Sequence, residues 1–349
     1  MLIGTEKKPK GPDFSAARKI EKNISGAKLS FLSPPHNDAF SNLNSWEEEA
    51  DSLDTNDVNQ FKPKKLPDDS SSREVSWSRV YSSTWEYRGL PIIQGYCGHM
   101  NLLVDVNKFH SLPVNENLLD SQVLAEQIYQ HYRASILDDM HEGFSDDPKD
   151  VTTYHWPSSL GPINNQWVSR GGRDWFYFED QPLVSNTEIV EWHTALDPKH
   201  SLVFRFVITR SAPNAGNPFQ INKRISLESF TALMHKIMDT VNLETAPTLE
   251  EPASGQGNPN NSTKPVFTPS KEEVEEAKYV MWMWSARGYT NPDRNKESSH
   301  RANREEVSTF IDEKIKPRPL TDSYPLEETQ HLSGPSIHPE TKFQKACIK

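Results

Sequence analysis

Gly171-Gly172 constrains this chain more than any other pair. It sits between two aromatic-rich runs, Trp167-Val168-Ser169-Arg170 and Arg173-Asp174-Trp175-Phe176-Tyr177-Phe178. A two-residue hairpin loop needs positive φ at both positions, which glycine adopts without a Cβ clash. The pair therefore predicts a β-hairpin with Arg170 opposite Arg173, Val168 opposite Trp175, and Trp167 opposite Phe176. Strand alternation puts Trp167, Phe176 and Phe178 on one face, the expected core. Gln166, Arg170, Arg173, Trp175, Tyr177 and Glu179 share the other. That face mixes aromatics with charge and reads as half-covered or as a binding surface.

Two more strands follow. Residues 188–196 lead into Asp197-Pro198, where Asp caps a turn and Pro presets φ. The next run alternates, with Leu202, Phe204, Phe206 and Ile208 as its core set. A one-residue change of register would swap Trp192 for Glu191 and His193 on the face of Phe204; burial favours Trp192 there. The result is a four-strand antiparallel meander over 161–210.

Upstream, 75–87 carries Trp77, Tyr81, Trp85 and Tyr87 on one parity, and 99–109 alternates through Met100, Leu102, Val104 and Val106. Both read as strands. Asp120 or Ser121 caps a helix with Ala125, Ile128, Tyr129, Tyr132 and Ile136 on its stripe, ending near Met140. Ser226 caps a second, with Ile225 and Phe230 as a hydrophobic staple and Leu233, Met234, Ile237 and Val241 continuing the stripe. The order ββαββββα predicts an α+β fold: a mainly antiparallel sheet with two helices covering one face. Residues 1–72 lack a period and read as a disordered or loosely attached arm, with Trp46 a possible anchor. Residues 73–245 form the core domain and 246–269 a linker. Residues 270–349 form a C-terminal arm with a docking helix, 271–287, capped by Ser270 and Glu273. Met281 and Trp284 make that helix too apolar to lie free, so it docks on the core or on a partner. A second short helix starts at Asn303, and the chain from 317 on reads as disordered.

The net charge is −11, which disfavours a dedicated nucleic-acid binder. The basic run Lys7, Lys8, Lys10, Arg18, Lys19 and Lys22 reads as a solvated tail. Cys97 and Cys347 are far apart, so no disulfide framework is expected. No run reaches transmembrane length, and no apolar leader stands at the start. The expectation is a soluble, cytoplasmic protein with no cofactor, no membrane partner and no nucleic-acid partner.

Four clusters carry candidate chemistry. Asp138, Asp139, His141 and Glu142 open an acidic loop, 138–150, able in principle to ligate a divalent metal. Asp138 and Asp139 also face the negative end of a helix dipole, which a cation would relieve. Glu191 and His193 share a strand face, the minimum for general acid–base work. Cys97 and His99 are similarly spaced, though no second Cys accompanies them. Arg170 and Arg173, opposed at the hairpin tip with Trp175 and Tyr177 behind, have the composition of an interaction hot spot. No phosphate-binding loop, dinucleotide fingerprint, nucleophile elbow or HExxH is present. The sequence therefore predicts a non-enzymatic protein-interaction module (an adaptor, inhibitor or immunity-type protein) that binds through Arg170, Arg173, Trp175, Tyr177, Met281 and Trp284. Two other readings stand beside it: a metal-assisted hydrolase using the acidic loop with His193 or His99, and a structural or assembly protein.

Overall fold

A computed structural model describes residues 4–37, 51–63, 75–90, 95–110, 112–141, 157–183, 185–213, 215, 218–244, 264–287, 303–321, 323 and 329–333, with backbone alone at 63, 134–141, 283–287 and 329–333. Its centre is a seven-stranded antiparallel sheet. The strands, in spatial order, are β4 (Lys62–Pro63), β5 (Val75–Arg88), β6 (Tyr96–Phe109), β10 (His200–Arg210), β9 (Thr187–Ala195), β8 (Arg173–Pro182) and β7 (Ser159–Arg170). The α+β class and the meander are as the sequence predicts. Gly171 and Gly172 have φ of 58° and 71°. The register pairs Arg170 with Arg173, Val168 with Trp175 and Trp167 with Phe176. Trp192 pairs with Phe204. Asp197 closes its turn by accepting from the backbone N–H of Lys199 and His200 at 2.8 and 2.9 Å.

The two covering helices lie on opposite faces, not on one. The back face carries Trp167, Phe176 and Phe178, and packs on α1 (Ser121–His141) through Leu124, Ala125, Ile128 and Tyr129. The front face carries Trp175, Tyr177, Trp192, Phe204 and Phe206, and packs on α3 (Glu228–Met238) through Phe230, Leu233, Met234 and Ile237. Both faces are aromatic, and removing one such ring from water is worth about 4–6 kcal/mol before entropy. Neither face can be left open.

The rest of the front cover comes from the amino-terminal segment. β1 (Arg18–Ile24) and β2 (Ala27–Ser33) form a hairpin, joined by β3 (Ser52–Leu53) and by β11 (Asn242–Glu244) into a second sheet. Ile24, Ala27, Leu29, Phe31 and Leu53 are buried in the front-face core. The ring of Phe31 meets Phe204 edge-on at 5.2 Å. Residues 18–33 and 51–63 therefore differ from the expected loose arm. Ser25-Gly26 is a second two-residue turn, with φ of 47° and 88°, between runs that alternate apolar and charged. Its outer face is largely polar, with Lys19, Glu21, Asn23, Lys28 and Ser30, which hides the strand in the composition. Trp46 lies outside the described residues. In the basic run, Lys8 pairs with Glu228, Lys19 with Glu21 and Lys22 with Asp51, so these lysines belong to the folded unit and not to a free tail.

β5 runs unbroken for 14 residues, with a bulge at Val80 between Arg79 and Tyr81. The inserted residue flips the alternation. Tyr81, Trp85 and Tyr87 face front, whereas Trp77 turns to the back face beside Arg79, whose guanidinium stands 5.1 Å from its ring. The single parity expected for these four aromatics is therefore broken after Trp77.

The carboxyl-terminal segment is built into the fold as well. Ser270 and Glu273 form the expected capping box of α4 (Lys271–Arg287). Asn303 and Glu306 do the same for α5 (Arg304–Lys314). Val274, Ala277, Val280 and Met281 of α4 pack with Val307, Phe310 and Ile311 of α5. Leu160, Ile163 and Leu183 of the sheet edge, and Phe219 of α2 (Pro218–Arg224), complete a third core. Beyond α5 the chain stays attached along β7: the backbone N–H of Leu320 donates to Gln166 and Ser323 bridges to Val168. Within the expected linker, β12 (Lys264–Thr268) pairs in parallel with β13 (Thr329–Ser333). The described residues beyond 317 thus depart from the disorder expected there; residues 334–349 lie outside the described set.

Candidate functional site

The expected binding residues part company. Trp175 and Tyr177 are about 1–2% exposed, in the front core. Burial first, and then Glu179, raises the Tyr177 hydroxyl well above its ordinary pKa. The Tyr177 hydroxyl donates to Glu179 at 2.8 Å. These two side chains present no surface. Met281 is also buried, so the apolar stripe of α4 docks on the core of its own chain; the Trp284 side chain lies outside the described residues.

At the hairpin tip the two arginines differ in kind. Arg170 is spent internally: its side chain is 9% exposed, it pairs with Asp239 at 2.8 Å, and its guanidinium stands 5.0 Å from the ring of Trp192. It also helps burial depress the imidazole of His235. Arg173 is half-buried, and the one influence on its guanidinium is burial, which lowers its pKa. Among the described residues every other buried or half-buried arginine lies against a carboxylate: Arg79 on Asp105, Arg133 on Glu273, Arg170 on Asp239, Arg205 on Glu191, Arg210 on Glu188 and Arg224 on Glu6. Arg173 has no such pair.

The back face holds a polar row that joins neighbouring strands. Arg79 chelates Asp105 through Nε and Nη2 at 2.8 and 3.1 Å. Arg205 Nε donates to Glu191 Oε1 at 2.6 Å, and Glu191 Oε2 lies 2.7 Å from His193 Nε2. Burial alone would raise the Glu191 carboxyl; Arg205 and His193 override it and hold the group well below the usual range. Glu191 and His193 are 6% and 3% exposed, the His193 ring stacks on Phe178, and its Nδ1 is buried without a hydrogen-bond partner. This dyad has the expected pairing and a third member, Arg205, which the sequence reading left out. The ion pair in it is Glu191 with Arg205, and His193 is hydrogen-bonded to the second carboxylate oxygen.

Next to it on the same face, Asp180 is buried and receives the hydroxyl of Tyr132 from α1. Ser159 Oγ lies 3.2 Å from that hydroxyl. Burial raises the Asp180 carboxyl to about 7, Glu191 reinforcing it while Tyr132, Ser159 and Arg205 oppose. The signals for these missed residues are local. Arg205 interrupts the apolar alternation Val203-Arg205-Val207, and Asp180 continues the parity of Phe176 and Phe178.

The remaining candidates separate from both sites. Helix α1 reaches His141, so Asp138, Asp139 and His141 are helical; their side chains, and Glu142 with the rest of the acidic loop, lie outside the described residues. Among the described residues no group of three or more His, Cys, Asp and Glu could hold a metal ion. Cys97 is a buried thiol whose pKa burial raises, and its Sγ lies 3.9 Å from the Gly95 carbonyl. His99 is engaged by the Tyr96 hydroxyl. The described helices include none long and apolar enough to cross a membrane. No protein-family model, curated protein or solved structure matches this chain.

Proposed function

We propose that this chain is a non-enzymatic protein-interaction module of the adaptor, inhibitor or immunity type, and that the hairpin tip at Arg173 is its anchor for a partner's carboxylate. One observation carries the reading: Arg173 is the half-buried arginine with no carboxylate against it among the described residues. Partial desolvation without a counter-charge is a standing cost. A carboxylate delivered by a partner offsets it, and arginine at a rigid turn is a frequent hot spot. Trp175 and Tyr177 support the anchor from the core side, and Arg170 keeps the tip in place through Asp239. The acidic overall charge, −11, suits a partner whose surface is basic around that carboxylate, because long-range steering follows net charge while the anchor acts at contact.

Charge reversal at the tip tests this. Arg173→Glu and Arg173→Gln, compared with wild type in quantitative capture from the native cell lysate, are expected to lower recovery of a stoichiometric partner by at least tenfold and a few-fold respectively. Unchanged recovery with Arg173→Glu would remove the hairpin from the interaction.

A further inference from the structure

Helix α1 is held to the sheet in two different ways. Its first half is held by apolar contact, through Leu124, Ala125, Ile128 and Tyr129. One turn further on, Tyr132 and Arg133 add polar contacts to this apolar seat. The Tyr132 ring meets Phe178 edge-on at 5.6 Å and its hydroxyl donates to Asp180. Arg133 pairs with Glu273 of α4. The seat under Tyr132 is close-fitting: a Cβ at Gly161 would fall 2.4 Å from the hydroxyl. Glycine is therefore needed for the ring to enter.

The groups that face Asp180 can be named element by element. Tyr132 comes from α1, the uncharged hydroxyl of Ser159 from β7, Glu191 from β9 and Arg205 from β10. Arg205 is already occupied by Glu191. Asp180 thus has a hydrogen-bond donor but no counter-ion of its own, in a buried position under the helix.

We propose that Asp180 and Tyr132 form a proton-dependent latch, closed on the sheet while the carboxyl keeps its proton and loosened over the second half of α1 when that proton passes to solvent. The closed state holds the carboxyl near 7, and opening returns it to water, where about 4 is ordinary. Closing therefore takes up a proton between about pH 4 and 7. The closed state loses its advantage as pH rises through that window, by at most about tenfold per pH unit, and loses nothing further above it.

The test follows the Asp180 carboxyl by carbon NMR in the full chain. In parallel it measures backbone amide exchange over 130–141 between pH 5 and 8.5, corrected for the intrinsic pH dependence of exchange. The latch predicts a carboxyl midpoint near pH 7. It also predicts an opening equilibrium that climbs at least tenfold from pH 5 to 7 and then levels, with Asp180→Asn flattening that climb. A midpoint below pH 5 overturns the proposal. So does a wild-type opening equilibrium that is flat across the range, or an Asp180→Asn chain with the wild-type slope. Should Asp180→Asn fail to fold, the two wild-type measurements decide.

Discussion

At the scale of single residues, one demanding site is announced by no sequence pattern. Glu188 is buried between Arg210 and Lys314, with Lys314 Nζ 2.7 Å from Oε2. Arg210 also donates to the Ile225 carbonyl at 2.7 Å. Burial alone would raise the Glu188 carboxyl, but Lys314 and Arg210 bring it down to about 2. Its folded pKa is depressed, so its contribution is fully present above about pH 4.5 and is lost as pH falls toward 2. Removing one member leaves buried charge uncompensated. Glu188→Gln is expected to cost about 3–5 kcal/mol in urea unfolding at pH 7. It should also remove the part of the stability that Glu188 is expected to lose as pH falls below 4.5. Such a triad is illegible beforehand because Glu188, Arg210 and Lys314 look like three surface charges until three elements meet. The same holds for Arg170 and Arg173: the sequence pairs them as equals, and only packing separates the one spent on Asp239 from the one left open.

At the scale of elements, legibility followed the strength of local chemistry. Two capping boxes, a Gly-Gly loop and an Asp-Pro turn all stand where their residues imply. The two glycines of the loop make a quantitative prediction. A Cβ at Gly171 would sit 2.3 Å from the Val241 carbonyl oxygen, whereas at Gly172 it meets nothing. Both carry positive φ. Gly172→Ala should therefore cost about 1 kcal/mol, and Gly171→Ala clearly more, by denaturant titration. What escaped was chemistry diluted by its surroundings. Ser25-Gly26 is as good a turn as Gly171-Gly172, but its strands show charge on one side and sit in a polar stretch. The Val80 bulge escaped for a different reason: one inserted residue moves Trp77 to the other face without any change in residue type.

At the scale of the whole molecule, the described segments on either side of the central sheet act as walls of the core. The amino-terminal hairpin closes the front face and helices α4 and α5 close the edge at β7. A chain ending at 263 would uncover Leu160, Ile163, Leu183 and Phe219 and take Lys314 from Glu188. It should be insoluble or lose its near-ultraviolet circular dichroism, while wild type keeps a cooperative transition. Covering both faces also decides what stays accessible: Trp175 and Tyr177 are core, and at the tip the half-buried Arg173 reaches the outside. The most direct measurement is stability and partner capture on one preparation of Arg173→Met. With no partner among the described residues to lose, the substitution is predicted to leave the unfolding midpoint unchanged or higher while capture falls a few-fold. A lowered midpoint with capture intact would contradict the account, placing Arg173 among the residues that hold the fold together.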